Sequence, residues 1–331
     1  MPRSTWTCCV PWPCSSREVR HDPAGTSHTQ DYLALRRSLG FKLREAGIYL
    51  AKFAAFLEAR GVEHITTALA MEWVQQSPVA QPATWAQRLG HVRGFARHHR
   101  ASDPQTEIPP PGLLPFQPQR ARPYLYSEEE ITHLLRCALE LPTAGGLRPW
   151  TFHCLLGLLS VTGLRIGEAI RLQLEEVDLQ EGLLTIRGTK FGKSRLVPIH
   201  RSTQEVLEQY RVRREYFLAG HAASSFFITS HGHPLDIGDI HRTFYKLSRQ
   251  IGPRGETASH GPRLHDFRHR FAVQTLLCWY RSGEDVERRL PVLSTYLGHV
   301  HVADTYWYLS ACPERMALAV ARLEQRWEER P

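Results

Sequence analysis

From Asp31 the apolar residues recur at helical spacing, first as Tyr32, Leu33, Leu35 and Leu39 and then as Leu43, Ile48, Leu50, Phe53 and Phe56, with a stop at Gly61. A stripe of this period gives a helix one apolar face to bury. Two further helical stretches are predicted around Thr67–Gln76 and Thr84–His98, which together make a small all-helical domain. The residues before it, to about position 26, lack sustained periodicity and read as a tail. Residues 102–123 contain seven prolines and no long apolar pattern, which predicts a linker stiffened by its proline content. Beyond the linker, Ser127 stands three residues before Glu130 at the head of Glu128-Glu129-Glu130, the form of a capping box. Trp150–Ser160 reads as a buried helix and Gly167–Leu174 as another. The period then changes to two: Leu183–Ile186 and Arg195–Ile199 flank the turn Thr189–Lys193, as in an antiparallel hairpin, and the remainder is mostly helical. The expected organisation is a tail over 1–26, a helical domain over 27–105, a linker over 106–123 and a second domain over 124–331. The fold class is mainly α with a small antiparallel β-hairpin or sheet.

Charge adds a partner to this picture. The chain holds 41 Lys and Arg against 33 Asp and Glu, a net charge of +8, which favours a polyanion. The surplus is uneven, with 15 basic against 9 acidic residues through Pro123. The helix expected around Thr84–His98 and the residues just after it carry Arg88, His91, Arg93, Arg97, His98, His99 and Arg100, with no acidic residue between Trp73 and Ala101. Such a surface suits phosphates, whose contacts dominate nucleic-acid affinity and make it salt-dependent. Seven scattered cysteines do not form the dense even framework of a secreted scaffold, so a reducing cytoplasm is expected. The spacing of Cys8, Cys9, Cys14 and His21 fits no common zinc site. The longest apolar run, Trp150–Leu164, is too short to span a bilayer, and no membrane partner is expected.

Three clusters can carry chemistry. Thr162-Gly163-Leu164-Arg165-Ile166-Gly167-Glu168 puts Arg165 at a helix start after a run apolar enough to be buried, with Glu168 three residues on as its partner. In Leu264-His265-Asp266-Phe267-Arg268-His269, His265 and Arg268 share a helical face. Tyr296-Leu297-Gly298-His299 is followed nine residues later by Tyr308. Phosphoryl transfer needs this kind of inventory: forked cations for the nonbridging oxygens, a proton donor for the leaving oxygen, and an in-line nucleophile. Singly, each cluster is also an ordinary structural feature.

Taken together and in this order, the Thr-Gly-Leu-Arg-x-Gly-Glu box, a lysine in a hairpin turn, the His-x-x-Arg box and Leu-Gly-His with its later tyrosine resemble the tyrosine recombinases of the phage integrase family. The match covers Tyr124 to about Leu323, and the helical first domain is similar to the family's core-binding domain. The resemblance implies a two-domain architecture, a helical core-binding domain and a mixed α/β catalytic domain, which clamps duplex DNA. It implies that Arg165, Arg268, His265 and His299 hold the scissile phosphate, that Lys190 protonates the departing 5′ oxygen, and that Tyr308 attacks phosphorus. The product would be a 3′-phosphotyrosine, formed with no cofactor, metal or ATP. Tyr306 and Lys193 remain alternatives for the nucleophile and the acid, with the nine-residue offset favouring Tyr308 and the later place of Lys193 in the turn favouring Lys190. The family acts as a homotetramer on two double-stranded DNA sites, in some cases with accessory proteins, and Pro313–Glu329 resembles its tail helix. A metal-dependent transposase would need three carboxylates around divalent ions, and nothing marks such a triad. A type IB topoisomerase uses similar residues, but the small helical first domain and the Leu-Gly-His spacing favour recombination, most often for a mobile element.

Overall fold

The computed structural model describes residues 26–76, 80–114, 123–143, 146–188, 194–255, 257–258 and 261–310. They fall into two compact units, one on either side of Arg120. The expected N-terminal tail through residue 25, with Cys8, Cys9, Cys14 and His21, and the expected tail helix Pro313–Glu329 lie outside the described residues. Among the described residues no helix is long and apolar enough to cross a membrane.

The first unit holds α1 (Thr26–Ser38), α2 (Arg44–Arg60), α3 (Thr67–Gln75) and α4 (Pro82–His99). The stripe from Tyr32 to Phe56 is therefore two helices, not one continuous run. Gly40 at φ 89° and Leu43 at φ 40° take left-handed conformations that a right-handed helix cannot contain, so the chain turns between them. Leu50, Phe53, Leu57, Trp73, Val92 and Phe95 fill the core, with the Phe53 and Trp73 rings packed edge to face at 5.1 Å. Thr66 caps α3 by accepting from the Leu69 amide, and Pro82 opens α4 where no amide partner is needed. The start of the proline-rich stretch is tied to this unit. Glu107 N–H donates to the Ile65 carbonyl, and Arg93 donates to the carbonyls of Pro109 and Pro110.

The second unit is built around α6 (Leu147–Thr162), which is buried on nearly every side by α5 (Glu128–Leu139), α8 (Arg201–Leu218) and α10 (His265–Arg281). A helix apolar all round must be enclosed, as the unbroken run from Trp150 predicted. Strands β1 (Val177–Asp178), β2 (Leu183–Ile186) and β3 (Arg195–Pro198) form an antiparallel sheet in that order, with Ile186 opposite Arg195 at the turn end of the hairpin. The expected helix Gly167–Leu174 is only the single turn α7 (Ile166–Ala169). It ends early because the chain is drawn out to pair elsewhere: Phe226 N–H donates to the Leu172 carbonyl, and Leu174 N–H to that of Ser224. Helices α9 (Ile237–Gln250), α11 (Val286–Leu297) and α12 (Ala303–Ser310) complete the unit. The far half of α10 makes a separate apolar cluster with α11 and α12, including Leu276, Leu290, Leu293 and Tyr308.

The capping box at α5 is complete. The Glu130 amide donates to Ser127 Oγ at 3.1 Å and the Ser127 amide donates back to the Glu130 carboxylate at 2.8 Å. Ser127→Ala is expected to lower the unfolding free energy by about 1 kcal/mol, and Ser127→Gly by a few tenths, in urea titrations followed by circular dichroism. Equal losses for the two variants would show that the cap contributes nothing beyond chain stiffness.

Candidate active site

Two chain reversals and one helix start bring the candidate residues together. Helix α6 ends at Gly163, at φ 61°, where an added Cβ would stand 2.7 Å from the Phe271 ring, so only glycine fits. The turn delivers Arg165 to the head of α7. Helix α11 ends in the same way at Gly298, at φ 68°, where an added Cβ would meet the Arg195 guanidinium at 2.7 Å. That turn delivers His299. Helix α10 begins at His265, which sets Arg268 one turn further in, on the same face.

Arg268 is 1% exposed. Its Nη1 donates to the Gly163 carbonyl at 2.9 Å and its Nη2 to the Leu297 carbonyl at 2.5 Å. Both acceptors belong to helix C-termini, whose last carbonyls lack partners and carry partial negative charge. Burial and the neighbouring Arg165 charge push the Arg268 pKa down to about 10, countered in part by the Tyr308 phenol beside it, and it stays charged at neutral pH.

Glu168, also buried, is held between two arginines. Its Oε1 accepts from Arg165 Nη1 at 2.9 Å, and its two oxygens accept from Arg195 Nη1 at 3.2 Å and Nη2 at 2.8 Å. Burial would raise this carboxyl, but the hydrogen bonds and charge of Arg195, then those of Arg165, outweigh it and hold the pKa at about 2. Arg165 Nη2 also donates to the Gly298 carbonyl at 3.4 Å. The guanidinium is thereby oriented from below while about a third of the side chain stays exposed.

His265 and His299 border the arginines. Loss of hydration and the charges of Arg268 and then Arg165 push both imidazoles down to about 4, so both are neutral at pH 7. His299 Nδ1 pairs with Thr305 Oγ1 at 2.8 Å, which fixes its ring. Tyr308, on α12, is 3% exposed, and its ring stacks on His299 with centroids 5.9 Å apart. Tyr306, two residues earlier, is 53% exposed.

Five of the six candidates are therefore in one place: Arg165, His265, Arg268, His299 and Tyr308. Lys190, and the alternative Lys193, lie outside the described residues. Two neighbours were not among the candidates. In the sequence Arg195 reads only as a strand residue, although its place two positions before the buried Val197 sets it on the inward face. His269 was visible in its box but had no assigned part; its ring lies 5.4 Å from that of Tyr308 and 4.7 Å from that of His265. In the first unit, the basic run of α4 is less free than its sequence suggests. His99 is buried against Phe95, His91 stacks on Tyr49, and Arg93 is spent on backbone carbonyls, while Arg97, His98 and Arg100 remain exposed.

Comparison with known proteins decides which family this geometry belongs to. The model of the phage integrase family matches residues 127–315, more than half of the chain. The chain belongs to the phage integrase family of tyrosine recombinases. Over 305 residues, 91% of this chain and 97% of the other, it is 62% identical to y4rB of Sinorhizobium fredii, a protein carrying the name integrase/recombinase. It is 30% identical to the tyrosine recombinase XerD of Caulobacter vibrioides over 71% of this chain and 73% of that one. Among solved structures, the XerH site-specific recombinase in a post-cleavage complex with its palindromic difH substrate superposes with a TM-score of 0.60 at 19% identity, covering 90% of this chain and 84% of that one. The Tn1549 transposon integrase in complex with transposon right end DNA gives 0.64 at 15% identity over 90% and 98%. At these identities the likeness is one of fold, and it confirms the mainly helical recombinase architecture with its small antiparallel sheet.

The depressed histidines set an acid limit for this integrase-family site. A histidine whose folded pKa lies below its unfolded value of about 6.5 leaves the unfolded chain binding more protons, so its stabilising contribution is complete above pH 6.5 and is lost as the pH falls towards about 4. Glu168, depressed to about 2 from 4.5, adds a second loss below pH 4.5. Calorimetric Tm values between pH 7.5 and 4.5 are expected to fall less steeply for His299→Gln than for the wild type. Parallel curves would mean that His299 titrates normally.

Proposed function

We propose that the protein is a site-specific DNA recombinase that cleaves and rejoins DNA through a 3′-phosphotyrosyl intermediate at Tyr308. The observation that carries this reading is the gathering of Arg165, His265, Arg268 and His299 from three parts of the chain, with Arg268 and His299 against Tyr308. In the proposed step the Tyr308 oxygen bonds to phosphorus as the bond to the 5′ oxygen breaks, while the phenol passes its proton to water and Lys190 donates one to the leaving oxygen. Arg165 and Arg268 balance the charge that develops on the nonbridging oxygens, and the neutral imidazoles of His265 and His299 add hydrogen bonds. One phosphodiester is exchanged for another, so the reaction requires no ATP, and no metal or other cofactor enters the scheme. A free 5′ hydroxyl can attack the phosphotyrosine in reverse, which reseals the strand.

The partner is double-stranded DNA, gripped by a core-binding domain over residues 27–105 and a catalytic domain over 124–331 joined by the linker 106–123. Four copies would act on two sites, with accessory proteins in some reactions, in the cytoplasm. The family and its transposon-integrase neighbour support service to a mobile genetic element, by integration, excision or resolution.

Incubated with a nicked suicide substrate carrying its own site, in EDTA, the wild type and Tyr306→Phe are expected to form a covalent adduct seen by denaturing electrophoresis, and Tyr308→Phe none. Adduct formation by Tyr308→Phe would overturn the assignment of the nucleophile. A separate measurement tests the acid. Lys190→Ala should cleave normal DNA slowly and recover when sulfur replaces the 5′-bridging oxygen, because a thiolate leaves without a proton. Equal defects on both substrates would reject Lys190, and selective recovery by Lys193→Ala would move the role there.

A further inference from the structure

Arg195 makes three connections that no other described residue makes together. Its Nη1 and Nη2 fork onto both oxygens of Glu168 at 3.2 and 2.8 Å, and its Nε donates to the Tyr296 carbonyl at 2.8 Å. Its side chain is 9% exposed and that of Glu168 is 3% exposed, so the pair is enclosed by protein. The guanidinium also fills the space where Gly298 would carry a Cβ, at 2.7 Å. Strand β3 is thereby fastened both to the base of Arg165 and to the turn that presents His299.

The purpose of this bridge follows from where the charges fall. Glu168 accepts from Arg165 Nη1 and from the Arg165 backbone amide, so the carboxylate sets the direction of that guanidinium. A carboxylate bonded to Arg165 alone could rotate, because only two of its lone-pair positions would be used. The planar fork of Arg195 takes up further positions and fixes the carboxylate plane. Arg195 reaches neither Arg268 nor Tyr308 through any hydrogen bond found among the described residues, so its effect on chemistry must pass through Glu168 and the Gly298 turn. We propose that Arg195 is a positioning residue that locks Glu168, and through it Arg165, into the orientation that meets the scissile phosphate, while its bond to Tyr296 holds the His299 turn in register.

This inference rests on the proposed phosphate-binding part of Arg165, and the experiment separates the two. Arg195→Lys is the working variant, since it keeps a cation beside Glu168 and so protects the fold, but a single ammonium cannot span both carboxylate oxygens and the Tyr296 carbonyl. Single-turnover cleavage of the suicide substrate would be measured for the wild type, Arg195→Lys, Arg165→Ala and the double variant. Each would be run on a normal phosphodiester and on a methylphosphonate at the scissile position, with DNA affinity taken from gel shifts. The expected result for Arg195→Lys is near-normal affinity and cleavage slowed on the order of 10²-fold, as for a displaced catalytic group. That defect should shrink on the methylphosphonate, where one charged oxygen is gone, and the double variant should be no slower than Arg165→Ala. A defect equal on both substrates, or one that multiplies with that of Arg165→Ala, would reduce Arg195 to general support of the fold and overturn the proposal. Unchanged cleavage by Arg195→Lys beside a crippled Arg165→Ala would overturn it as well, leaving the phosphate role of Arg165 intact. Normal cleavage by Arg165→Ala would remove that role and this inference together.

Discussion

A guanidinium in the interior must find acceptors in place of the water it has lost, and Arg268 gives one donor from each terminal nitrogen to the carbonyl of a helix end. Neither α6 nor α11 can complete its own last turn, so each leaves a carbonyl that a cation must answer. One side chain answers both. Because Gly163 and Leu297 belong to stretches 134 positions apart, the pairing holds the Arg165 box and the Leu-Gly-His box at a fixed distance on either side of α10. Removing Arg268 would therefore uncover two buried acceptors as well as one charge, which is why the site and the fold of the second unit share a foundation.

The same cluster is electrically unbalanced. Arg165, Arg195 and Arg268 are gathered around the Glu168 carboxylate, and two histidines are held neutral by burial first and by the neighbouring guanidinium charges second. A protein maintains such an arrangement at a cost, because like charges in a poorly hydrated place repel. On the proposed mechanism an entering phosphodiester would supply the missing negative charge to donors that are already aimed, so little reorganisation would accompany the reaction. On the proposed mechanism the further charge that builds on phosphorus is met by the same groups.

How much of this was legible before any coordinates depended on what each residue contacts. The box around Arg165 shows in the sequence through Glu168 three residues on, that around Arg268 through His265 three residues before it, and that around His299 through the glycine that marks its reversal, although the hydrogen-bond partners of Arg268 are themselves remote. The hairpin strands and the Ser127 cap followed from period and from local hydrogen bonding. Arg195 was not visible, because its partners Glu168 and Tyr296 are 27 and 101 positions away. The false continuity of α1 and α2 had a different cause: the apolar stripe survives the turn at Gly40–Leu43, so periodicity carried no sign of the break. Histidine 99 misled for a third reason, since a charged-looking run at a helix end is silent about which ring folds under the helix.

The contrast between Tyr306 and Tyr308 shows what packing contributes to chemistry. Exposure alone would favour Tyr306, which water and solutes reach freely, over a phenol that is 3% exposed. In-line attack depends instead on where the oxygen is held, and a surface tyrosine samples several rotamers that each carry it away from phosphorus. Tyr308 is buried in the apolar cluster of α10, α11 and α12, with its ring against His269, His299 and Trp307 and its phenol beside Arg268. The apolar cluster beneath α12 is therefore part of the site, because it removes the wrong orientations before DNA arrives. The helix that bears Tyr308 also rests on α10, which bears Arg268, so any tilt of α12 would move the phenol and loosen its packing at once. Precision at phosphorus and stability of the second unit are for this reason drawn from the same contacts.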